Sequence, residues 1–468
     1  MKTTIKLLVC CVLLQISCSA PLTSDYLVLK GATVFDGTGE MIEEATIIIK
    51  DDVIEGIGDN TMEIPENAEV MNLSGQFITP GLVDAHIHFF QTAFFDSRPD
   101  ALDLRDTVPY ENVVAYQAAN PDRYFDAYLK SGVTAVYDVG SLTSTIALQD
   151  LLEGNANAPH VAASGPLITP APPSFLASFN TADDTIMVHL DTEETARRLV
   201  QRNTALGSTG IKLWALAPVD LEDMSKLNAL LEAILESGNQ LIVHATKREA
   251  AAAAIELGAK LLVHSVTEDA IDDDFINLML DNDVIMTPTL VVSGGYLKAY
   301  RAVLGEAFEI NDPFGAVDKD TRGLLESAEV FRRFVDEVAI RRRIERFEAF
   351  IEREDSLMAS NLKRLYAAGA LLAVGTDAGN PGTLHGISIY DEMEAMQATG
   401  IDPADLIVMA TRNGAMAMQR IDDIGTLVAG KQADLVVVSA DPSEDIANMR
   451  TITHVMRAGQ LQAVAAGK

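Results

Sequence analysis

Residues 80–88 read Pro80-Gly81-Leu82-Val83-Asp84-Ala85-His86-Ile87-His88. A Pro-Gly turn signal opens the segment, an apolar run follows, and two histidines two residues apart close it. In an extended strand, residues i and i+2 face the same side, so His86 and His88 can converge on one metal ion. An H-x-H pair alone is as readily incidental as functional. Its weight comes from what the rest of the chain repeats.

The same arrangement recurs downstream. His244 closes Leu241-Ile242-Val243-His244, and His264 closes Leu261-Leu262-Val263-His264. Either alone reads as a hydrogen-bonded core histidine, but consecutive strands both ending in His point to ligands. Four of the chain's eight histidines thus fall at expected strand ends. Asp377 ends Leu371-Leu372-Ala373-Val374-Gly375-Thr376-Asp377, where a buried carboxylate must be paired or bound to metal. Lys212 stands inside the apolar strand Gly210-Ile211-Lys212-Leu213-Trp214, so its charge must be matched or removed. A structural salt bridge is the alternative for Lys212.

Working outward, the central region alternates buried-strand runs with helical runs, the signature of a parallel α/β fold. The expected strands are Leu82–His88, Val133–Val139, Val161–Ser164, Gly210–Trp214, Gln240–His244, Lys260–His264, Val284–Val291 and Leu371–Thr376. Eight such units suggest a (β/α)8 TIM-like barrel, placed at residues 81–420. A helical stripe runs from Leu221 through Met224, Leu227, Leu231, Ile234 and Leu235. Thr246 and Glu249 form a capping-box pattern for the next helix, which stops at Gly258. The Arg- and Glu-rich stretch 297–368 is too long for one crossover and reads as extra helices over the barrel mouth. Short alternating strands occupy both ends: Tyr26–Leu29, Ala45–Ile49 and Val53–Ile57, then Asp434–Val438 and Ile452–Arg457. The two ends, residues 21–80 and 421–468, are expected to meet in one small β-sandwich. No internal repeat interrupts this plan.

The 468 residues carry 35 Lys and Arg against 68 Asp and Glu, a formal charge of −33. Such a surface repels phosphate backbones, so no nucleic-acid partner is expected. Lys2 and Lys6, the apolar run Leu7–Leu14 and the small residues that follow read as an export signal over residues 1–20. The run is too short to span a bilayer. Cys10, Cys11 and Cys18 are the only cysteines, so no disulfide framework is expected in the body. Cys18 after Ile16 and Ser17 resembles a lipoprotein site, although Gln15 fits that pattern poorly. The expectation is an exported protein, periplasmic or anchored by lipid at Cys18.

Taken together, Pro80 to His88, Lys212, His244, His264 and Gly375-Thr376-Asp377 resemble the binuclear amidohydrolase superfamily. The closer resemblance is to its imidazolonepropionase-like and prolidase-like (Xaa-Pro dipeptidase) branch. Ile424-Gly425-Thr426-Leu427 and Gly430-Lys431-Gln432-Ala433-Asp434-Leu435 resemble that family's return into its sandwich. The resemblance therefore runs from about residue 26 to the C-terminus. It implies that His86, His88 and Asp377 hold one metal, and His244 and His264 the other. It further implies a carbamate on Lys212 bridging two divalent ions, zinc by preference. A hydroxide between the ions would attack the carbonyl, and Asp377 would pass the proton to the leaving amine. His385, in Leu384-His385-Gly386, is a further candidate catalytic or substrate residue by the same resemblance. His160 is expected to be structural, and no role is expected for His189 or His454.

One departure bears on the substrate. The prolidase-like branch usually carries Gly-Gly-His after the third strand, whereas this chain has Gly165-Pro166-Leu167-Ile168-Thr169-Pro170-Ala171-Pro172-Pro173-Ser174-Phe175. Lys247 and Arg248 read either as solvated residues of the first helical turn, the preferred reading, or as a replacement positive charge. Phe89, Phe90, Phe94, Phe95 and Phe175 are candidates for an apolar pocket or for sealing the domain interface, and Tyr296 is a further pocket candidate. The expected substrate is a small amide, a dipeptide or N-acyl amino acid with a hydrophobic portion. An ester, lactone or organophosphate is the alternative. A non-catalytic barrel is disfavoured, because such relatives lose ligands and this chain keeps all six. A homo-oligomer is expected.

Overall fold

Gly81 is the joint on which the architecture turns. A Cβ there would lie 2.8 Å from Thr134 Cβ, closer than real side chains approach. The chain can therefore leave one sheet at Pro80 and enter another at Leu82 with almost no connection. The computed structural model describes residues 25–180, 184–214 and 225–465. The expected export segment, Cys10, Cys11, Cys18, Leu221 and Met224 lie outside them.

Before the joint come β1 (Tyr26–Phe35), β2 (Met41–Lys50), β3 (Val53–Gly58), β4 (Glu69–Asn72) and β5 (Phe77–Pro80). After it come β6 (Leu82–Ile87), β7 (Val133–Asp138), β8 (His160–Ala163), β9 (Leu167–Thr169) and β10 (Met187–His189). These are followed by β11 (Gly210–Leu213), β12 (Gln240–His244), β13 (Ala259–Val263), β14 (Ile285–Thr287) and β15 (Leu371–Leu372). Near the C-terminus lie β16 (Leu435–Val438), β17 (Ile452–Arg457) and β18 (Gln460–Ala463).

The fold is α/β with parallel central sheets. One has the order β6-β7-β8 and the other β10-β9-β11-β12-β13-β14-β15. Backbone hydrogen bonds link them along both margins. Ala85 N donates to Val374 O (3.0 Å) and Asp377 N to His86 O (2.7 Å); on the other side Thr209 N donates to Ala163 O (3.0 Å). Val83, Ala85, Ala135, Tyr137, Ala162, Ile242, Leu261, Val263 and Ala373 pack into one buried cluster between the strands. Intervening residues such as Leu82, Val136, Leu241 and Leu262 turn to the larger cluster shared with the helices. Burial on both faces explains the near-continuous apolar runs.

All eight expected central strands form. β14 is shorter than expected: it ends at Thr287, and the chain turns at Thr289 (φ 53°) before the helix Val292–Val303, which contains Gly294, Gly295 and Tyr296; β15 likewise ends at Leu372, short of the expected Thr376. β9 and β10 were not expected: the Pro-rich segment itself supplies a strand, paired in parallel with residues 187–189. The long insertion contains helices at Lys319–Glu326 and Glu337–Ala367, as its composition suggested. Thr246 does not cap its helix, which starts at Arg248 behind Lys247. Its carbonyl instead accepts from Thr267 N (2.9 Å), which holds it in the loop.

Both chain ends enter a single sheet, β18-β17-β16-β5-β1-β2-β3, with β4 beside β1. The two ends thus meet as expected, in a small β-unit whose strands follow one continuous order around its own core of Leu29, Val34, Ile47, Ile49, Ile78, Leu435 and Val437. The reason lies in β1, whose register shifts between Lys30 and Val34 let it pair with β4 first and then with β5.

Candidate metal centre

The six expected ligands come from five separate strands and line one cavity of about 340 Å³. β6 carries His86 and leads into His88, Lys212 is on β11, His244 ends β12, and His264 and Asp377 follow β13 and β15. His86 Nε2 lies 3.3 Å and His88 Nε2 3.0 Å from Asp377 Oδ1. The His86 and His264 rings are 5.0 Å apart between centroids, and those of His244 and His264 4.4 Å. One donor atom each from His86, His264 and Asp377 falls within a 4.8 Å span. That tight group crosses the two ligand sets expected for separate ions.

Burial pushes the His86 and His244 imidazoles well below their ordinary range and His264 down to about 4, keeping them neutral. Burial alone would raise the Asp377 carboxyl, but the neighbouring His86 and His88 hold it well below the usual carboxylate range. We assign neutral imidazoles facing an ionised carboxylate, the state in which both ligate metal. Lys212, almost fully buried, is lowered by desolvation to about 7. The donor set fits a metal ion on a direct observation: His86 Nδ1, His86 Nε2 and Asp377 Oδ1 are buried and have no hydrogen-bond partner. Buried polar atoms are nearly always satisfied, so these donors await a ligand.

Outer contacts orient the set. His88 Nδ1 donates to Gly140 O (2.6 Å), aiming Nε2 inward, and His264 Nδ1 meets Thr289 Oγ1 at 2.6 Å. Asp84 accepts from Thr376 N (2.9 Å), Thr376 Oγ1 (2.6 Å) and His86 N (3.3 Å), tying β6 to the Asp377 segment. Burial raises its carboxyl to about 7. Sequence reasoning missed Asp84, although its spacing, two before His86 and four before His88, places all three on one strand face.

His385 joins the site from behind. Its Nδ1 meets Tyr128 Oη (2.6 Å), its Nε2 donates to Gln91 O (3.0 Å), and Tyr124 covers its ring at 3.9 Å between centroids. It does not line the cavity. His160 is structural as expected, bonded to Asp434 Oδ2 (2.7 Å). Lys247 and Arg248 pair with Glu268 (3.2 Å) and Asp272 at the surface, in keeping with the preferred first-turn reading rather than with a free charge for substrate.

Phe90 and Tyr296 line the cavity. Phe89 packs on Phe125 and Tyr128, Phe94 and Phe95 pack on each other, and Phe175 stacks on Trp214 at 5.7 Å. Leu167, Phe179, Met187 and Trp214, none of them expected, complete an apolar wall. Arg98, Asp100 and Asn380 form a polar one. There Asn380 Oδ1 accepts from Arg98 Nη1 and from Tyr296 Oη (2.9 Å), while Asn380 Nδ2 donates to Asp377 O (3.1 Å).

An α/β fold presenting a His/Asp/Lys cluster just beyond its parallel strands defines a class of metal-binding proteins. The Amidohydrolase family profile matches residues 77–461, and the chain belongs to that family. Among curated proteins it is 39% identical over 84 residues to a 5-methylthioadenosine/S-adenosylhomocysteine deaminase of Moorella thermoacetica, covering 16% of this chain and 20% of that protein. It is 29% identical over 116 residues to an imidazolonepropionase of Vibrio cholerae serotype O1, covering 21% and 28%. The chain thus matches only 20% to 28% of the length of these curated relatives. A crystal structure of a Xaa-Pro dipeptidase with methionine in the active site superposes with a TM-score of 0.69 at 21% identity, covering 94% of this chain and all of that one. This likeness is one of fold.

Proposed function

We propose that the protein is a metal-dependent hydrolase of small amides, built as a closed (β/α)8 barrel at residues 81–420 with the small sheet packed against it. The observation that carries this reading is the grouping of His264 with the buried, unpartnered atoms of His86 and Asp377. His86, His88 and Asp377 would hold one divalent ion, and His244 and His264 a second, zinc by preference for imidazole and carboxylate donors. The ions would supply a Lewis acid for the carbonyl and a water acidified towards neutrality. Lys212, with its amine lowered to about 7, is unprotonated enough to add to carbon dioxide and lose a proton. The resulting carbamate replaces a buried cation with an anionic ligand.

Asp377, ionised and beside the cavity, accepts a proton and returns it to the leaving amine. His385 positions the loop carrying Gln91 rather than touching substrate. The wall of Phe90, Leu167, Phe179, Met187 and Trp214 takes the hydrophobic portion of a dipeptide or N-acyl amino acid and excludes water. Export, lipid attachment at Cys18 and homo-oligomerisation belong to the same proposal.

The test is metal content of the purified protein, paired with turnover of dipeptides, N-acyl amino acids and simple esters. About two metal equivalents with amide cleavage are expected. Ester-only turnover would keep the site and change the reaction class. Failure to bind metal after reconstitution would overturn the proposal.

A further inference from the structure

Pro288, Thr289, Leu290, Val292, Ser293 and Tyr296 line the metal cavity, so the segment after β14 is one of its walls. Thr289 begins that wall in a left-handed backbone, φ 53°. A β-branched residue rarely takes this conformation and persists in it only where its surroundings hold it there. Thr289 Oγ1 meets His264 Nδ1 at 2.6 Å, the contact that leaves His264 Nε2 free to face a metal ion. The conformation of Thr289 therefore sets the direction of a ligand.

What holds Thr289 comes from about a hundred residues further along the chain. Glu392, on the helix Ser388–Ala398, is fully buried. Its Oε1 accepts from Leu290 N (3.0 Å) and its Oε2 from Val291 N (3.1 Å). These two N–H groups follow Thr289 and precede the helix Val292–Val303, whose N-cap Val291 makes no side-chain cap of its own. One carboxyl thus grips both peptide groups beyond the strained residue. On the near side, His264 N donates to Thr287 O (2.8 Å) and Ser265 N to Pro288 O (3.1 Å). Thr289 is pinned between these bonds and Glu392, and its backbone cannot relax without breaking one of them. A buried carboxyl is costly unless its oxygens are bonded, and here both are occupied by consecutive backbone groups. Glu392 itself does not line the cavity.

We propose that Glu392 is a positioning residue for the metal centre: by holding Leu290 and Val291 it locks Thr289, and through Thr289 it aims His264. This rests on the proposed metal centre and adds to it a residue that acts without touching metal or substrate.

The test is a double-mutant cycle on zinc affinity, measured by chelator competition on the purified full chain. Glu392→Gln sets an NH2 group against one of the two N–H donors, and Thr289→Val removes the hydroxyl while keeping the branched shape. Each should weaken zinc binding by about 10- to 100-fold, the scale for an outer partner of a ligating histidine. Because both act on the same His264 contact, the double variant should bind no more weakly than the weaker single one. A merely structural Glu392 gives losses that multiply in the double variant. That outcome, or unchanged affinity in either single variant, overturns the proposal. Glu392→Asp, which withdraws both oxygens by one methylene, takes the place of Glu392→Gln if the latter does not fold. Should the wild type bind no zinc, the metal-dependent reading falls first, and crystal structures of the metal-free wild type and Glu392 variant decide the inference separately. Opening of the contact between Thr289 and His264 in the variant supports it, and a contact kept at its wild-type length overturns it.

Discussion

Asp377 and His264 adopt φ of 59° and 79°, a left-handed backbone that costs about 1–3 kcal/mol at a non-glycine residue. Both are held there by backbone bonds, Asp377 N to His86 O (2.7 Å) and His264 N to Thr287 O (2.8 Å). The strain turns each side chain back over the strand ends. Asn tolerates this backbone, so Asp377→Asn should leave thermal unfolding nearly unchanged while turnover falls by several orders of magnitude. Near-normal kcat would remove Asp377 from proton transfer. Lys212→Ala should abolish activity and lower the metal content measured by elemental analysis, with partial rescue by short-chain carboxylic acids. All six ligand candidates, His86, His88, Lys212, His244, His264 and Asp377, were legible in the sequence, because polar groups closing or interrupting apolar runs have few structural explanations. Arg98, Asn380, Phe179 and Trp214 were not, since nothing in their local pattern distinguishes a wall residue from a surface or core one.

Elements place these residues through close approach. A Cβ on Gly375 would lie 2.8 Å from His86 Cβ and 2.9 Å from Thr287 Cβ, so the Asp377 segment lies pressed between β6 and β14. Gly375→Ala should destabilise by about 1–3 kcal/mol as an overpacked core, and weaken metal binding by displacing His86. Calorimetric unfolding with and without metal measures both effects; an unshifted midpoint would show that the strands yield freely. Strand positions were readable from apolar runs, but strand ends were less so. Thr246 matched a helix cap, yet its carbonyl serves Thr267 across the loop, a partner remote in sequence.

The whole molecule is joined by a buried ionic network between the central strands and the small sheet. His160 at the start of β8 bonds Asp434 before β16 (2.7 Å) and lies 3.3 Å from Glu153, while Arg457 of β17 donates to Ala158 O (3.0 Å). Burial opposes charge on His160, but Asp434 and Glu153 outweigh it and raise its pKa above the ordinary 6.5. Its contribution is therefore complete below pH 6.5 and lost as pH rises through the raised value. His160 and Arg420 hold Glu153 below its ordinary 4.5, and His160 outweighs burial to hold Asp434 below 3.8. Their contributions are present above those values and lost as pH falls. The network should thus be strongest between about pH 4.5 and 6.5. Asp434 keeps Ala458 N (2.8 Å) and Arg457 (3.6 Å), so His160→Ala should cost about 1–3 kcal/mol through the lost hydrogen bond at Oδ2, and should flatten the alkaline arm of a melting-temperature profile. An unchanged alkaline arm would show that His160 is not the group responsible.

By itself, the sequence determined the parallel α/β plan, the pairing of the two chain ends and the six ligand candidates. Each of these is written in local periodicity or in a polar residue that an apolar run cannot hide. The tertiary structure alone decided that the end strands form one folded-over sheet, that Lys247 and Arg248 are neutralised, and that His385 stands behind the cavity. It also decided which side chains wall that cavity. Those outcomes depend on partners tens to hundreds of residues away, and no local pattern records them.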